Sequence, residues 1–148
     1  MKALNEFNEE RQELLEQAIT RAEKMTSGEI RLHIEDHCKE DVLDHATFIF
    51  DELQMEKTRE RNGVLIYLAY LDHKFAILGD VGINQKVPEN FWEDIKENAI
   101  AHFSKGDFMT GLLETIHQSG KSLSAHFPLA DDDTDELDNT ISFGGQDV

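Results

Sequence analysis

The chain has 148 residues, of which 39% are hydrophobic and 30% charged, and 14 Lys and Arg stand against 31 Asp and Glu for a net charge of -17. That length suits one domain with a core that holds without cross-links, and the one cysteine, Cys38, excludes an internal disulfide and any multi-cysteine zinc site. So acidic a surface disfavours nucleic acid, whose phosphates call for a basic face. No apolar run approaches the ~20 residues of a membrane span, and Met1–Glu6 lacks the apolar stretch of a signal peptide, so no membrane insertion and a cytoplasmic location are expected.

Residues 4–25 are predicted to form an amphipathic helix, with Leu4, Phe7, Leu14, Leu15, Ala18, Ile19, Ala22 and Met25 at three-and-four spacing. Thr26-Ser27-Gly28 stops it. From Glu29 to Glu35 the pattern alternates, with Ile30, Leu32 and Ile34 on one face and Glu29, Arg31, His33 and Glu35 on the other: a strand. A second helix is expected from Asp41, as N-cap, to Thr58, with Val42, Leu43, Ala46, Ile49, Phe50 and Leu53 as its buried stripe. After the Asn62-Gly63 break, Val64–Leu71 is continuously apolar, as in a central strand covered on both faces. Asp72-His73 turns the chain into a third, antiparallel strand at Phe75–Leu78. Helices then follow from Pro88 to Ser104 and from the N-cap Asp107 to Phe127.

The order α-β-α-β-β-α-α, with a right-handed parallel crossover between the first two strands, predicts an α/β fold: a three-layer α/β/α sandwich on a small mixed sheet. This domain is expected to span residues 1–128. Beyond it, residues 129–148 carry Asp131, Asp132, Asp133, Asp135, Glu136, Asp138 and Asp147 with no Lys or Arg. By composition they are an acidic, disordered tail.

Four segments together carry a family resemblance: Ser27-Gly28-Glu29-Ile30, Thr58-Arg59-Glu60-Arg61-Asn62-Gly63-Val64-Leu65-Ile66-Tyr67, Gly79-Asp80-Val81-Gly82-Ile83, and Gly106-Asp107-Phe108-x-x-Gly111-Leu112. The chain resembles the TPM-domain family over roughly residues 5–127. That family takes its name from a thylakoid lumen protein, a photosystem II repair protein and a modulator of levamisole receptors. The resemblance implies an α/β/α fold, binding of divalent cations such as Ca²⁺, and accessory roles in the assembly or repair of protein complexes. It also implies an acid phosphatase activity in some members. Many relatives carry a signal peptide and a membrane helix, and neither is expected here.

The strand order brings Glu29, Asn62 and Asp80 to one end of the sheet, with Glu60 and Glu89 near by. A hard cation takes six to eight oxygens from carboxylates, carbonyls and water. Glu29 and Asp80 are therefore the leading expected metal ligands, with Asn62 and Glu60 beside them, for Ca²⁺ or Mg²⁺. The plain alternative is that Asp80 caps a turn and Glu29 forms a surface ion pair. A rival acidic group, Asp36, Asp41, Asp44, Asp72 and Asp107, falls at the opposite end, where open α/β sheets bind ligands, although Asp41 and Asp107 also serve as helix caps. His33, His37, Cys38 and His45 do not have the spacing of a closed zinc site, and the acids around Cys38 work against a thiolate. Asp131–Asp135 resembles the opening of an EF-hand loop but places Glu136 at the glycine position and Ser142 at the bidentate glutamate.

Two functions follow. The first is a monomeric, non-enzymatic module that binds a divalent cation and presents an acidic surface to a protein partner. The second is a metal-dependent acid phosphatase acting on phosphomonoesters, in which the cation polarises a phosphoryl oxygen and activates water; it rests on the resemblance alone.

Overall fold

One strand buried on both faces sets the layering. The computed structural model describes residues 1–129 and 137–144. Within them β2, Gly63–Ala69, is buried at every position. Its Val64, Ile66 and Leu68 enter a large core, while Leu65, Tyr67 and Ala69 enter a smaller one on the opposite face. β1, Glu29–Glu35, runs parallel to it, and β3, Lys74–Gly79, runs antiparallel on the other side. α3, Val42–Glu52, makes the crossover from β1 to β2 and covers the smaller core through Ala46, Ile49 and Phe50. The larger core lies under α1 (Lys2–Glu6), α2 (Glu9–Glu23), α5 (Glu93–Ser104) and α6 (Phe108–Leu123). This is the expected α/β/α sandwich on a mixed sheet. No helix of the described residues is long and apolar enough to cross a membrane.

α6 ends at Leu123, short of the expected Phe127, and β2 at Ala69, short of Leu71; four larger departures from the sequence expectations each have a local cause. The first helix is two helices, because Asn8 adopts an extended conformation and its side chain accepts the amide of Arg11 at 3.0 Å. Glu9 and Glu10 follow in the first turn of α2, where the helix dipole favours acids. α3 stops at Glu52, not Thr58, since Gln54 takes a left-handed conformation with φ of 56°. Pro88–Trp92 forms successive turns, with the amides of Phe91 and Glu93 on the carbonyls of Pro88 and Asn90, so α5 begins only at Glu93. A short helix, α4, spans Val81–Asn84 under an Asp80 cap.

The sheet also has a fourth strand. β4, Ser142–Gly144, pairs parallel to β1 with Ser142 opposite His33 and Gly144 opposite Glu35, giving the order β3-β2-β1-β4. Ile141 is buried in the larger core, and Leu137 packs on the smaller one. Disorder, expected from composition throughout the tail, thus does not describe residues 137–144. The EF-hand-like run at 131–136 lies outside the described residues.

The Gly79-Asp80-Val81-Gly82 segment is shaped by a close approach of two loops. The amide of Gly82 donates to the carbonyl of Arg61 at 2.9 Å. A Cβ at position 82 would overlap the backbone oxygens of Glu60 and Arg61, which cannot move aside as a side chain would. Gly82→Ala is expected to cost about 1–3 kcal/mol, the range for forced overpacking. Urea unfolding of the two proteins measures it, and a loss within error of zero would show that the two loops yield.

Candidate functional site

The register places three of the predicted ligands at one end of the sheet. Glu29 pairs with Gly63, and Val64 pairs with Gly79. The Glu29 amide donates to the Asn62 carbonyl at 3.2 Å, and the Asp80 amide to the Gly63 carbonyl at 2.9 Å. Glu29, Asn62 and Asp80 are all buried, whereas Glu60 is exposed and meets this end through its backbone carbonyl, against Gly82. Glu89 is exposed on the turn before α5.

Glu29 is buried, so it is not the surface residue that the plain alternative held, and Asp80 and Asn62 each have a local role. Asp80 caps α4, accepting the Val81 amide at 2.7 Å, as the plain alternative held. Its carboxylate also accepts two hydrogen bonds from Arg61, from Nε at 2.8 Å and from an Nη at 3.0 Å. This is the fork geometry by which guanidinium grips a carboxylate. Arg61 stands in a left-handed conformation with φ of 51°, so the turn expected at Asn62-Gly63 is made one residue earlier. The Arg61 side chain is 46% exposed and that of Asp80 4%. Asn62 donates through Nδ2 to the Ser27 carbonyl at 3.1 Å, while its buried Oδ1 has no hydrogen-bond partner among the described residues.

Beside this salt bridge lies a cavity of about 210 Å³, lined by Asp51, Glu56, Arg61, Leu78, Asp80 and Val81 among others. Asp51 and Glu56 were missed from sequence because both were assigned to the long helix. Glu56 Oε2 is buried without a partner among the described residues. Beside the Arg61 guanidinium, the acids on this wall offer oxygens, the donor type of a hard cation such as Ca²⁺ or Mg²⁺. As they stand, no three His, Cys, Asp or Glu side chains among the described residues converge into a metal-holding group. Arg61 holds the carboxylate that a cation would take.

Four of the five rival acids at the opposite end accept backbone amides. Asp36 accepts the amides of Lys2 at 2.8 Å and Ala3 at 2.7 Å, capping α1 from 33 residues away. Asp41 caps α3 and Asp107 caps α6. Asp72 accepts the Cys38 amide at 2.7 Å and meets His37 Nδ1 at 2.9 Å. Asp44 is exposed in the first turn of α3.

That end holds a polar network which the sequence did not reveal. His33 and Glu35, assigned to the polar face of β1, are buried beneath α3 and β4. The Glu35 side chain is 4% exposed, and three donors serve it. His33 Nε2 lies 3.0 Å from Oε1, and His45 Nε2 and the Tyr67 hydroxyl lie 2.8 and 2.6 Å from Oε2. His33 Nδ1 continues to Ser142 Oγ at 2.6 Å, and His45 Nδ1 to Glu40 at 3.0 Å. β4 closes over the pair at Gly144, where a Cβ would stand 2.8 Å from His33 Nε2 and 3.0 Å from Glu35 Oε1.

Burial alone would raise the Glu35 pKa. The hydrogen bonds from His33 and Tyr67, the charge of His33 and the hydrogen bond from His45 outweigh it and bring the group to about 2. Burial and the Glu35 carboxylate both raise the pKa of Tyr67, which remains a phenol and a donor. At His45 burial opposes the charge, but hydrogen bonds to Glu40 and Glu35 prevail and raise the pKa above 6.5.

The signs of these shifts fix the pH dependence. Glu35, lowered from 4.5, contributes stability that is present above pH 4.5 and is lost as the pH falls toward 2. His45 contributes stability that is full below pH 6.5 and is lost as the pH rises through its folded value. Glu35→Gln should therefore flatten the stability profile on the acid side and His45→Gln on the neutral-to-alkaline side. Tyr67→Phe removes one hydrogen bond to a buried charge and should cost about 1.5–3 kcal/mol. Chemical denaturation across the pH range checks all three; Glu35→Gln and His45→Gln profiles parallel to that of the unmodified protein, or a Tyr67→Phe loss within error of zero, would contradict the network.

The TPM domain family model matches residues 4–122. No curated protein matches the chain. Among solved structures, the NMR structure of the BA42 protein from the psychrophilic bacterium Bizionia argentinensis is similar at 44% identity. That match covers 91% of this chain and 93% of BA42, with a TM-score of 0.86. With a family model spanning most of its length and a relative this similar over nearly all of both chains, the chain belongs to the TPM-domain family.

Proposed function

We propose that this protein is a divalent-cation-binding TPM module, acting in the cytoplasm as an accessory protein in the assembly, repair or regulation of a protein complex. Ca²⁺ or Mg²⁺ would be held at the end of the sheet where β1 and β2 begin. Asp80 would supply the central carboxylate, with Glu29, Asn62 and Glu60 as the other sequence-derived donors and Asp51 and Glu56 on the cavity wall.

The observation that carries this reading is the state of Asp80. A nearly buried carboxylate already binds a cationic group in bidentate fashion, beside a cavity with two further acids. The cationic group is the end of a long, half-exposed side chain, which can swing into water without disturbing the core. A divalent ion would then replace one positive charge with two at Asp80, and the neighbouring acid side chains would have to turn toward it to complete its shell. The net charge of -17 would concentrate cations near the surface and leave an acidic face for a basic partner.

The test is an NMR titration of the whole chain with Ca²⁺ and then Mg²⁺. The reading predicts saturable amide shifts around Glu29, Asn62 and Asp80, movement of the Arg61 Nε–H signal, and loss of these shifts in Asp80→Asn. Unsaturated shifts spread over the acidic surface would refute it. Metal-dependent hydrolysis of a phosphomonoester that disappears in Asp80→Asn would identify the phosphatase instead.

A further inference from the structure

We propose that Ser142, His33 and Glu35 form a nucleophile, base and orienting-acid triad for acyl transfer from neutral carboxylic esters. It is separate from the cation site and lies at the opposite end of β1. The geometry has the signature of an activated nucleophile: a hydroxyl within hydrogen-bond reach of a base that a third group orients. Ser142 Oγ is 2.6 Å from His33 Nδ1, and His33 Nε2 is 3.0 Å from Glu35 Oε1.

The protonation pattern follows from Glu35. With its pKa at about 2 it is a carboxylate at neutral pH and only accepts hydrogen bonds. A neutral His33 must then carry its proton on Nε2, facing Glu35. Its Nδ1 lone pair is left facing the Ser142 hydroxyl, which is the tautomer a general base requires. The Tyr67 and His45 donors hold the other carboxylate oxygen and keep Glu35 from turning. Gly144 allows β4 to lie directly against the imidazole and shelter the His33–Glu35 contact. Ser142 itself is half-buried on the edge strand of the sheet, with a second, longer contact from Oγ to the Leu32 carbonyl at 3.4 Å.

In the reaction Ser142 Oγ attacks the ester carbonyl carbon and His33 Nδ1 takes the hydroxyl proton. The carbon–oxygen bond to the alcohol then breaks, and the alcohol leaves with the proton from Nδ1. Water, activated by the same nitrogen, hydrolyses the acyl-serine to a carboxylic acid and restores the hydroxyl. Glu35 stays ionised and stabilises the transient imidazolium. The choice of a neutral ester rests on charge. Glu35 and Glu40 flank the histidines and the chain carries -17, so a phosphate dianion would be repelled.

The experiment treats the full chain with a fluorophosphonate probe and maps the adduct by peptide mass spectrometry, with p-nitrophenyl acetate as the ester for a burst assay. One adduct on Ser142 is expected, together with an acyl burst. Both should vanish in Ser142→Ala, and His33→Gln should slow them roughly 100-fold or more. Amide NMR spectra establish that each variant is folded. Tyr67→Phe, which leaves all three groups in place, provides a second variant and should slow labelling. A wild-type chain that gives no adduct on Ser142, or a labelling rate that folded His33→Gln leaves unchanged, overturns the triad.

Discussion

A single buried carboxylate joins four elements of this fold. Glu35 belongs to β1, yet it takes its hydrogen bonds from β1, from Tyr67 on β2 and from His45 on α3, and through His33 it reaches Ser142 on β4. An unpaired carboxylate in such a place would be costly to bury. With three donors in place it stays ionised, and the cost becomes a constraint on geometry: each donor must arrive from its own element at hydrogen-bond distance. The crossover helix, the central strand and the C-terminal strand, each packed on its core, are therefore also tied to one side chain. In the opposite layer apolar packing dominates, with Ile30, Leu32 and Ile34 of β1 in the larger core and single polar ties such as the Ile30 amide to Glu23 of α2 and the α1 amides to Asp36.

The two ends of the sheet differ in a way that bears on function. Where β1 and β2 begin, oxygen donors gather around a half-exposed salt bridge and an open cavity, with Glu56 Oε2 and Asn62 Oδ1 left without hydrogen bonds among the described residues. Where β1 ends, the polar groups are bonded to one another in series, from Glu40 through His45, Glu35 and His33 to Ser142. On the proposed reading the first arrangement would exchange one cation for another. The second suits orientation of a proton. Asp36, Asp41, Asp80 and Asp107 all serve as helix caps, so a carboxylate in this acidic chain does not by itself mark a site.

Much of the fold was legible because hydrophobic period and capping chemistry act locally. The continuous apolar run at Val64–Leu71 identified the central strand, and alternation over Glu29–Glu35 gave the boundaries of β1. Asp41 and Asp107 were readable as caps because the apolar stripes begin just after them. Asn8 hid inside a longer periodic pattern, since helices on either side of a cap can share one apolar face. β4 escaped because three residues carry no periodicity, and the acids before it masked Leu137 and Ile141. The meeting of Glu29, Asn62 and Asp80 followed from strand order alone. Arg61 as the partner of Asp80 did not, because its left-handed turn is set by loop packing. The Glu35 network was hidden for a related reason. Alternation separates polar from apolar faces but does not say whether the polar face meets water, and β4 supplied the cover.

The account stands most directly on the ionisation of Glu35 under β4. The measurement is a pH titration of the side-chain carboxyl carbon of Glu35 by NMR in the full chain, followed beside the amides of Ser142–Gly144. The account predicts a midpoint near pH 2 for Glu35 and a change at the β4 amides over the same range. A Glu35 midpoint at the ordinary 4.5, or β4 amides indifferent to its protonation, would contradict it.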